Sequence, residues 1–329
     1  MRIFLAGATG AIGKRLLPML VAAGHHVTGT TRTRAKSDSI RSAGAQAEVV
    51  DALNKRSVMD AVERTKPEVM IHELTAIPAE LNLKRFDEDF ALTNLLRTEG
   101  TDHLLAAARR VGCRRFIAQS FAPLTYERNG SWVKNEEDAL LSSAEPEVRK
   151  TLEAIFHLES AVLDETAMEG FALRYGWFYG PGTSLGRGGG QLEEIGKRRI
   201  PIVGKGTGHW SFVHIDDAAS ATLATVTASS PGVYNICDDE PAPVSTWLPY
   251  LANSIGAKPP RHIPRWLGQL AIGDYGGALM NEIRGASNQK AKSHLRWRLK
   301  WPSWRQGFRD GLDDVVRDVK VEPGLLKAS

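Results

Sequence analysis

The chain has 329 residues, of which 42% are hydrophobic and 24% charged, with a formal net charge of +4. That length can bury a large core in two domains, or in one domain with an added lobe. Only two cysteines, Cys113 and Cys237, are present, which excludes a disulfide framework or a cysteine-rich zinc site and fits a reducing, cytoplasmic setting.

The first stretch, Ile3–Ala6, reads as a short buried strand. Gly7, Gly10 and Gly13 follow at G-x-x-G-x-x-G spacing, and Leu16, Leu17 and Leu20 then open a helical period over Ile12–Ala23. Gly7 permits the sharp turn, Gly10 lets a pyrophosphate approach the backbone, and Gly13 lets helix and strand pack closely. Thr9, Ala11 and Ile12 complete the loop, whose free N–H groups at the helix start face an anion. Pro18 lies within the helix and is expected to cost a hydrogen bond or introduce a kink.

Further strands are predicted at Val27–Thr31, Ala47–Val50, Val69–His72, Phe116–Gln119 and Phe171–Tyr175. Helices are predicted at Lys55–Arg64, Leu92–Val111 and Val148–Thr166. Such alternation predicts an α/β fold, a Rossmann doubly wound parallel sheet covered on both faces. After Tyr175 the texture changes. Gly176–Gly190 holds seven glycines and reads as loop; Leu192–Lys197, Trp210–Val213, Asp216–Ala228 and Val233–Ile236 carry regular structure. The remainder is rich in Pro, Trp and Arg and reads as a smaller, mostly α lobe. Residues 1–175, with 210–238, are expected to form the dinucleotide-binding domain, and 176–209 with 239–329 the substrate-binding lobe. No apolar run approaches the roughly 20 residues of a membrane span, and no signal peptide is expected. The basic cluster Arg296, Arg298, Lys300, Arg305 and Arg309 leads into Asp310, Asp313 and Asp314, so a solvated face fits it better than a nucleic-acid surface.

The second strand ends in Thr30-Thr31-Arg32-Thr33-Arg34, with no carboxylate to accept from a ribose 2′-hydroxyl. Arg32 and Arg34 instead offer cations for a 2′-phosphate, so NADP(H) is expected over NAD(H). Asp51 and Ala52 follow the third strand, with Asp51 placed to accept from the adenine amino group. Leu74, Thr75 and Ala76 follow the fourth and would cradle the adenosine and phosphate region.

These residues together resemble an extended, atypical short-chain dehydrogenase/reductase of the NAD-dependent epimerase/dehydratase-like family. The resemblance rests on Gly7-Ala-Thr-Gly-Ala-Ile-Gly13, Val50-Asp51-Ala52-Leu53, Gly100-Thr101, Arg115-Phe-Ile-Ala-Gln-Ser120, Leu173-Arg174-Tyr175, Phe178-Tyr-Gly-Pro-Gly182 and Phe212-Val-His-Ile-Asp-Asp-Ala218. It implies a nicotinamide cofactor touching Gln119 and Tyr175, a small-molecule substrate, and a homodimer formed through the helices near 92–111 and 148–166. No nucleic-acid, membrane or metal partner is implied.

The family's Ser/Thr and Y-x-x-x-K do not align. Thr151 falls at the Tyr position, Ile155 at the Lys position and Phe121 at the Ser/Thr, with Ser120 one residue earlier. The substitute candidates for proton transfer are Ser120, Glu153 and Tyr175, with Lys150, the Glu153–His157 pair, Tyr126 and Tyr179 also within the expected region. Trp210 takes the place of an arginine that binds a nucleotide diphosphate in sugar-nucleotide relatives. With Phe121, Tyr126, Trp177 and Phe178 it forms either an aromatic substrate pocket or packing between lobes. The expected activity is hydride transfer with a small apolar or aromatic carbonyl or enone. The alternatives are a nucleotide-sugar epimerase or dehydratase, or an inert NADP(H)-binding sensor.

Overall fold

The computed structural model describes residues 1–78 and 80–314. Seven strands form one parallel sheet: β1 (Arg2–Ala6), β2 (His26–Thr31), β3 (Gln46–Val49), β4 (Val69–His72), β5 (Arg115–Phe121), β6 (Glu169–Tyr175) and β7 (Gly232–Ile236). Their order is β7-β6-β5-β4-β1-β2-β3. Ile3 pairs with Val27 on one side and with Val69 on the other, so the order reverses at β1. In such sheets ligands bind outside the carboxyl ends of the strands at that reversal.

Helix α1 (Ala11–Ala22) and helix α2 (Ile215–Thr225) cover one face. Ile3, Leu5, Ile117, Phe171 and Leu173 meet Leu16, Leu20 and Ala218 there. On the other face Phe4, Met70, Phe116 and Ala118 meet Val58, Leu104 and Leu158. Because successive strand residues point to opposite faces, both must be apolar, and the central strands read as continuous hydrophobic runs.

Boundaries differ in instructive ways. Helix α1 continues through Pro18, which stands on the exposed side of the helix, so the ring displaces no core packing. The expected single helix over 92–111 is broken. Ala91–Leu95 is α-helical, Leu96–Gly100 makes a π-helical turn, and Thr101–Arg110 resumes the α-helix. The helix expected over 148–166 is Arg149–Leu163, α3. Asp87 starts it, accepting from the N–H groups of Lys150 (2.9 Å) and Thr151 (2.8 Å) and so serving the orphan donors of the first turn.

A third cluster gathers residues from 86 to 312, with Trp210, Phe212, Trp247, Tyr275, Trp304 and Phe308 among them. Asp217 joins this part to the sheet by accepting from the N–H groups of Lys300 and Trp301, each at 2.8 Å. The expected stretch at Trp210–Val213 is two short strands, His209–Trp210 and Phe212–His214.

Candidate active site

The glycine loop leaves β1 at Gly7, whose φ of +97° few side-chain-bearing residues tolerate. A Cβ there would also lie 2.7 Å from the Glu73 carbonyl oxygen. Gly10 donates to the Gly7 carbonyl at 2.9 Å and caps α1. A Cβ at Gly13 would collide with the Gly7 carbonyl oxygen. Thr9 is half-buried beside the turn, Ala11 is exposed at the helix start, and Ile12 is buried in the core below. The loop therefore presents backbone rather than side chains to whatever approaches it.

Beside it a notch opens between the ends of β1, β2 and β4, lined by Thr30, Arg32, Val50, Ala52, Leu74 and Thr75 among others. Arg32 and Arg34 are exposed. Asp51 is exposed at the rim, its carboxylate accepting from the Leu53 N–H at 3.1 Å. Ala76 donates its N–H to Thr93 Oγ1 at 3.0 Å, fixing the segment after β4. Gln119 is half-buried at the end of β5. Backbone-lined turn, helix start and apolar notch fit an adenine dinucleotide.

Ser120, Arg174 and Asn235 occupy one row across β5, β6 and β7. Arg174 grips Glu159 of α3 with two bonds, through Nε at 2.7 Å and through Nη2, and Ser120 donates its hydroxyl to the same carboxylate. Tyr126 donates to Asn235 Oδ1 at 2.7 Å, accepts from Arg174 Nη1 at 3.1 Å, and lies beneath that guanidinium. All five side chains are buried. Burial pushes the Tyr126 hydroxyl up to about 12, with Arg174 opposing. Ser120 and Tyr126 are thus partners in a buried network, and neither presents a free hydroxyl to a ligand.

Tyr175 lies on the opposite face of the sheet. It is fully buried and its hydroxyl meets Glu73 Oε1 (3.0 Å) and Thr222 Oγ1 (2.6 Å). Burial raises its pKa, and raises that of Glu73 to about 8. Glu153 is exposed on α3, so the structure does not bring Glu153 and Tyr175 together. Nor does it pair Glu153 with His157, whose Nε2 meets Asp102 Oδ1 at 2.9 Å. At the Tyr position, Thr151 donates its hydroxyl to Asp87 Oδ1 (2.7 Å) and accepts from Asn94 Nδ2 (3.0 Å).

The expected aromatic residues divide. Phe121 and Trp177 are half-buried and meet edge to face at 5.0 Å. Trp210 stacks behind Trp177 at 4.4 Å, but is buried and donates to the Leu279 carbonyl at 3.0 Å, which makes it core rather than lining. Phe178 points to the other side of its strand and packs against Tyr175. Tyr179 is buried against Phe308 and His214.

Arg97 was not singled out by the sequence. It is 4% exposed, and its Nη1 has no hydrogen-bond partner among the described residues. Its spacing from Asn94, Thr101, Leu104 and Ala108 follows the inward stripe of a helix, and that was the available signal.

Residues 3–237 match the model of the NAD dependent epimerase/dehydratase family. The chain belongs to that family. A 3-diazoavenalumate denitrifying reductase from Streptomyces sp. is 39% identical over 311 residues, covering 94% of this chain and 99% of the relative. UDP-glucose 4-epimerase from Thermotoga maritima, solved with UDP-glucose, shares the fold with a TM-score of 0.75 at 20% identity, over 95% of this chain and 97% of that one. A human epimerase family protein solved with NADPH gives a TM-score of 0.72 at 17% identity, over 95% of this chain and 99% of that one. The chain is an NAD(P)-dependent oxidoreductase built on the extended short-chain dehydrogenase/reductase fold. Among the described residues no helix is long and apolar enough to cross a membrane.

Proposed function

We propose that this family member is an NADPH-dependent reductase of a small, apolar or aromatic electrophile, working without a protein proton donor. The observation that carries the reading is Thr151: where the family's acid would stand, a hydroxyl is already bonded to Asp87 and Asn94. A bound nicotinamide supplies hydride. The chain's own residues then position and shield: the loop from Gly7 to Gly13 holds the diphosphate, Arg32 faces the 2′-phosphate, and the Trp177–Phe121 corner offers an apolar surface. In this reading 1–175 with 210–238 bind the dinucleotide, and 176–209 with 239–329, of which 315–329 lie outside the described residues, bind the substrate.

Two substrate types suit an active site with no acid. One is a carbonyl or enone protonated by water. The other is an arenediazonium ion, whose conversion to the arene consumes one hydride, breaks the C–N bond, releases dinitrogen and needs no proton. The name of the 39%-identical relative, a denitrifying reductase of a diazo compound, favours the second type. A nucleotide sugar fits less well, because Trp210 at the diphosphate-binding position is buried and uncharged. The homodimer implied by the resemblance would use the face where Leu92 and Leu95 stand exposed.

The test is the loss of NADPH absorbance against arenediazonium salts, aldehydes, ketones, enones and quinones, with NADH in parallel. Turnover of diazonium salts without carbonyls supports the proton-free reading. Silence across the panel, with NADPH bound, overturns the proposal.

A further inference from the structure

Arg97 is a buried cation, 4% exposed, on the helical segment that follows β4. Its Nη1 is buried with no hydrogen-bond partner among the described residues, and a buried donor left unsatisfied is costly. It stands on the π-helical turn Leu96–Gly100, a wider turn that re-aims side chains and recurs at functional sites. The bond from Asn94 to Thr151 sets this helical segment in register with α3. About one turn further along both, Arg97 comes level with Ile155, where the family's lysine is missing.

Its titratable neighbours are His72, at the end of β4, and Glu159 of α3. Neither neutralises it by direct bonding. His72 Nε2 meets the Leu96 carbonyl and Thr101 Oγ1, and burial holds its pKa down to about 4. The Glu159 carboxylate is bonded to Arg174 and Ser120. The Arg97 Nη1 is therefore left without an acceptor among the described residues, one residue from Leu96, whose carbonyl meets His72 at the carboxyl end of β4.

We infer that Arg97 is a ligand of the dinucleotide's nicotinamide half, donating to its ribose oxygens from the helix beside the one that lacks the lysine. The inference rests on the dinucleotide reading above. It makes Arg97 a cofactor-holding residue and assigns it no proton-transfer role.

Calorimetry of Arg97→Met and Arg97→Lys tests this, with NADPH, with NADH, and with 2′,5′-ADP, which carries the adenosine half alone. The expected result is NADPH binding weakened about tenfold or more in Arg97→Met, as for loss of a charged hydrogen bond. Binding of 2′,5′-ADP is expected to be unchanged, and Arg97→Lys to recover part of the loss. Unchanged 2′,5′-ADP binding also reports an intact fold. Equal weakening of both ligands marks a structural arginine, and unchanged NADPH binding marks an idle one; either overturns the inference while leaving the dinucleotide reading standing. A wild-type protein that binds neither NADPH nor NADH overturns both.

Discussion

Arg174 and Glu159 form a two-pronged ion pair between β6 and α3, with side chains only 3% and 5% exposed. Both Glu159 oxygens are engaged by Arg174, and one also accepts from Ser120. Arg174→Met strands a carboxylate in the core and is expected to cost about 3–5 kcal/mol in unfolding free energy, read by urea denaturation. Ser120→Ala removes one donor of several. It should cost about 1 kcal/mol and leave turnover within a few-fold of wild type. A loss of several orders of magnitude would return Ser120 to the chemistry.

Glu73 gives the protein a pH-dependent stability. Its carboxyl group moves from 4.5 to about 8 on folding because it is fully buried. Between those values the unfolded chain releases the proton while the folded one keeps it, so stability falls as pH rises through that window and levels off above it. The contribution is about 1.4 kcal/mol per pH unit. Glu73→Gln should flatten this part of the Tm-versus-pH curve and gain stability relative to wild type at pH 8. Identical curves for the two proteins would show that Glu73 ionises freely in the fold.

Gly10 and Gly13 separate two kinds of requirement. At Gly13 a Cβ meets the Gly7 carbonyl and backbone of Ala8, so Gly13→Ala must push helix from strand, at a cost of about 1–3 kcal/mol. At Gly10, which is exposed, the nearest atom to a Cβ is the Gly7 oxygen at 3.3 Å. Gly10→Ala should leave thermal stability near wild type and weaken NADPH binding, measured by calorimetry.

Arg32→Glu tests cofactor choice. The substitution places a carboxylate where a 2′-phosphate would lie, and should lower the NADPH-to-NADH ratio of kcat/KM by about tenfold or more. An unchanged ratio would mean that the arginine only decorates an exposed turn.

The sheet and its glycine loop were legible because they rest on local rules. Apolar runs such as Val69–His72, glycines at fixed offsets, and helical stripes such as Leu16-Leu17-Leu20 all carry their signal within a few residues. The site was less legible because its partners come from afar. Nothing near Tyr175 in sequence shows that Glu73 and Thr222 occupy its hydroxyl, and nothing near Ser120 announces Glu159. The π-helical turn at Leu96–Gly100 escaped because its pattern matches an α-helix to within one residue. Trp210 showed the converse difficulty: an aromatic at an aligned position gives no indication of whether its face is covered.

The register of β1 bears on how the chain is made. Ile3 finds its neighbours in Val27 and Val69, so this apolar strand becomes an inner strand, flanked on both sides by segments made after it. Until β4 emerges, Ile3–Ala6 carries an unpaired edge, and parallel pairing adds the closure of a long loop before it is rewarded. Assembly of the glycine turn therefore waits on β4, which is followed directly by the Glu73 backbone against which Gly7 turns.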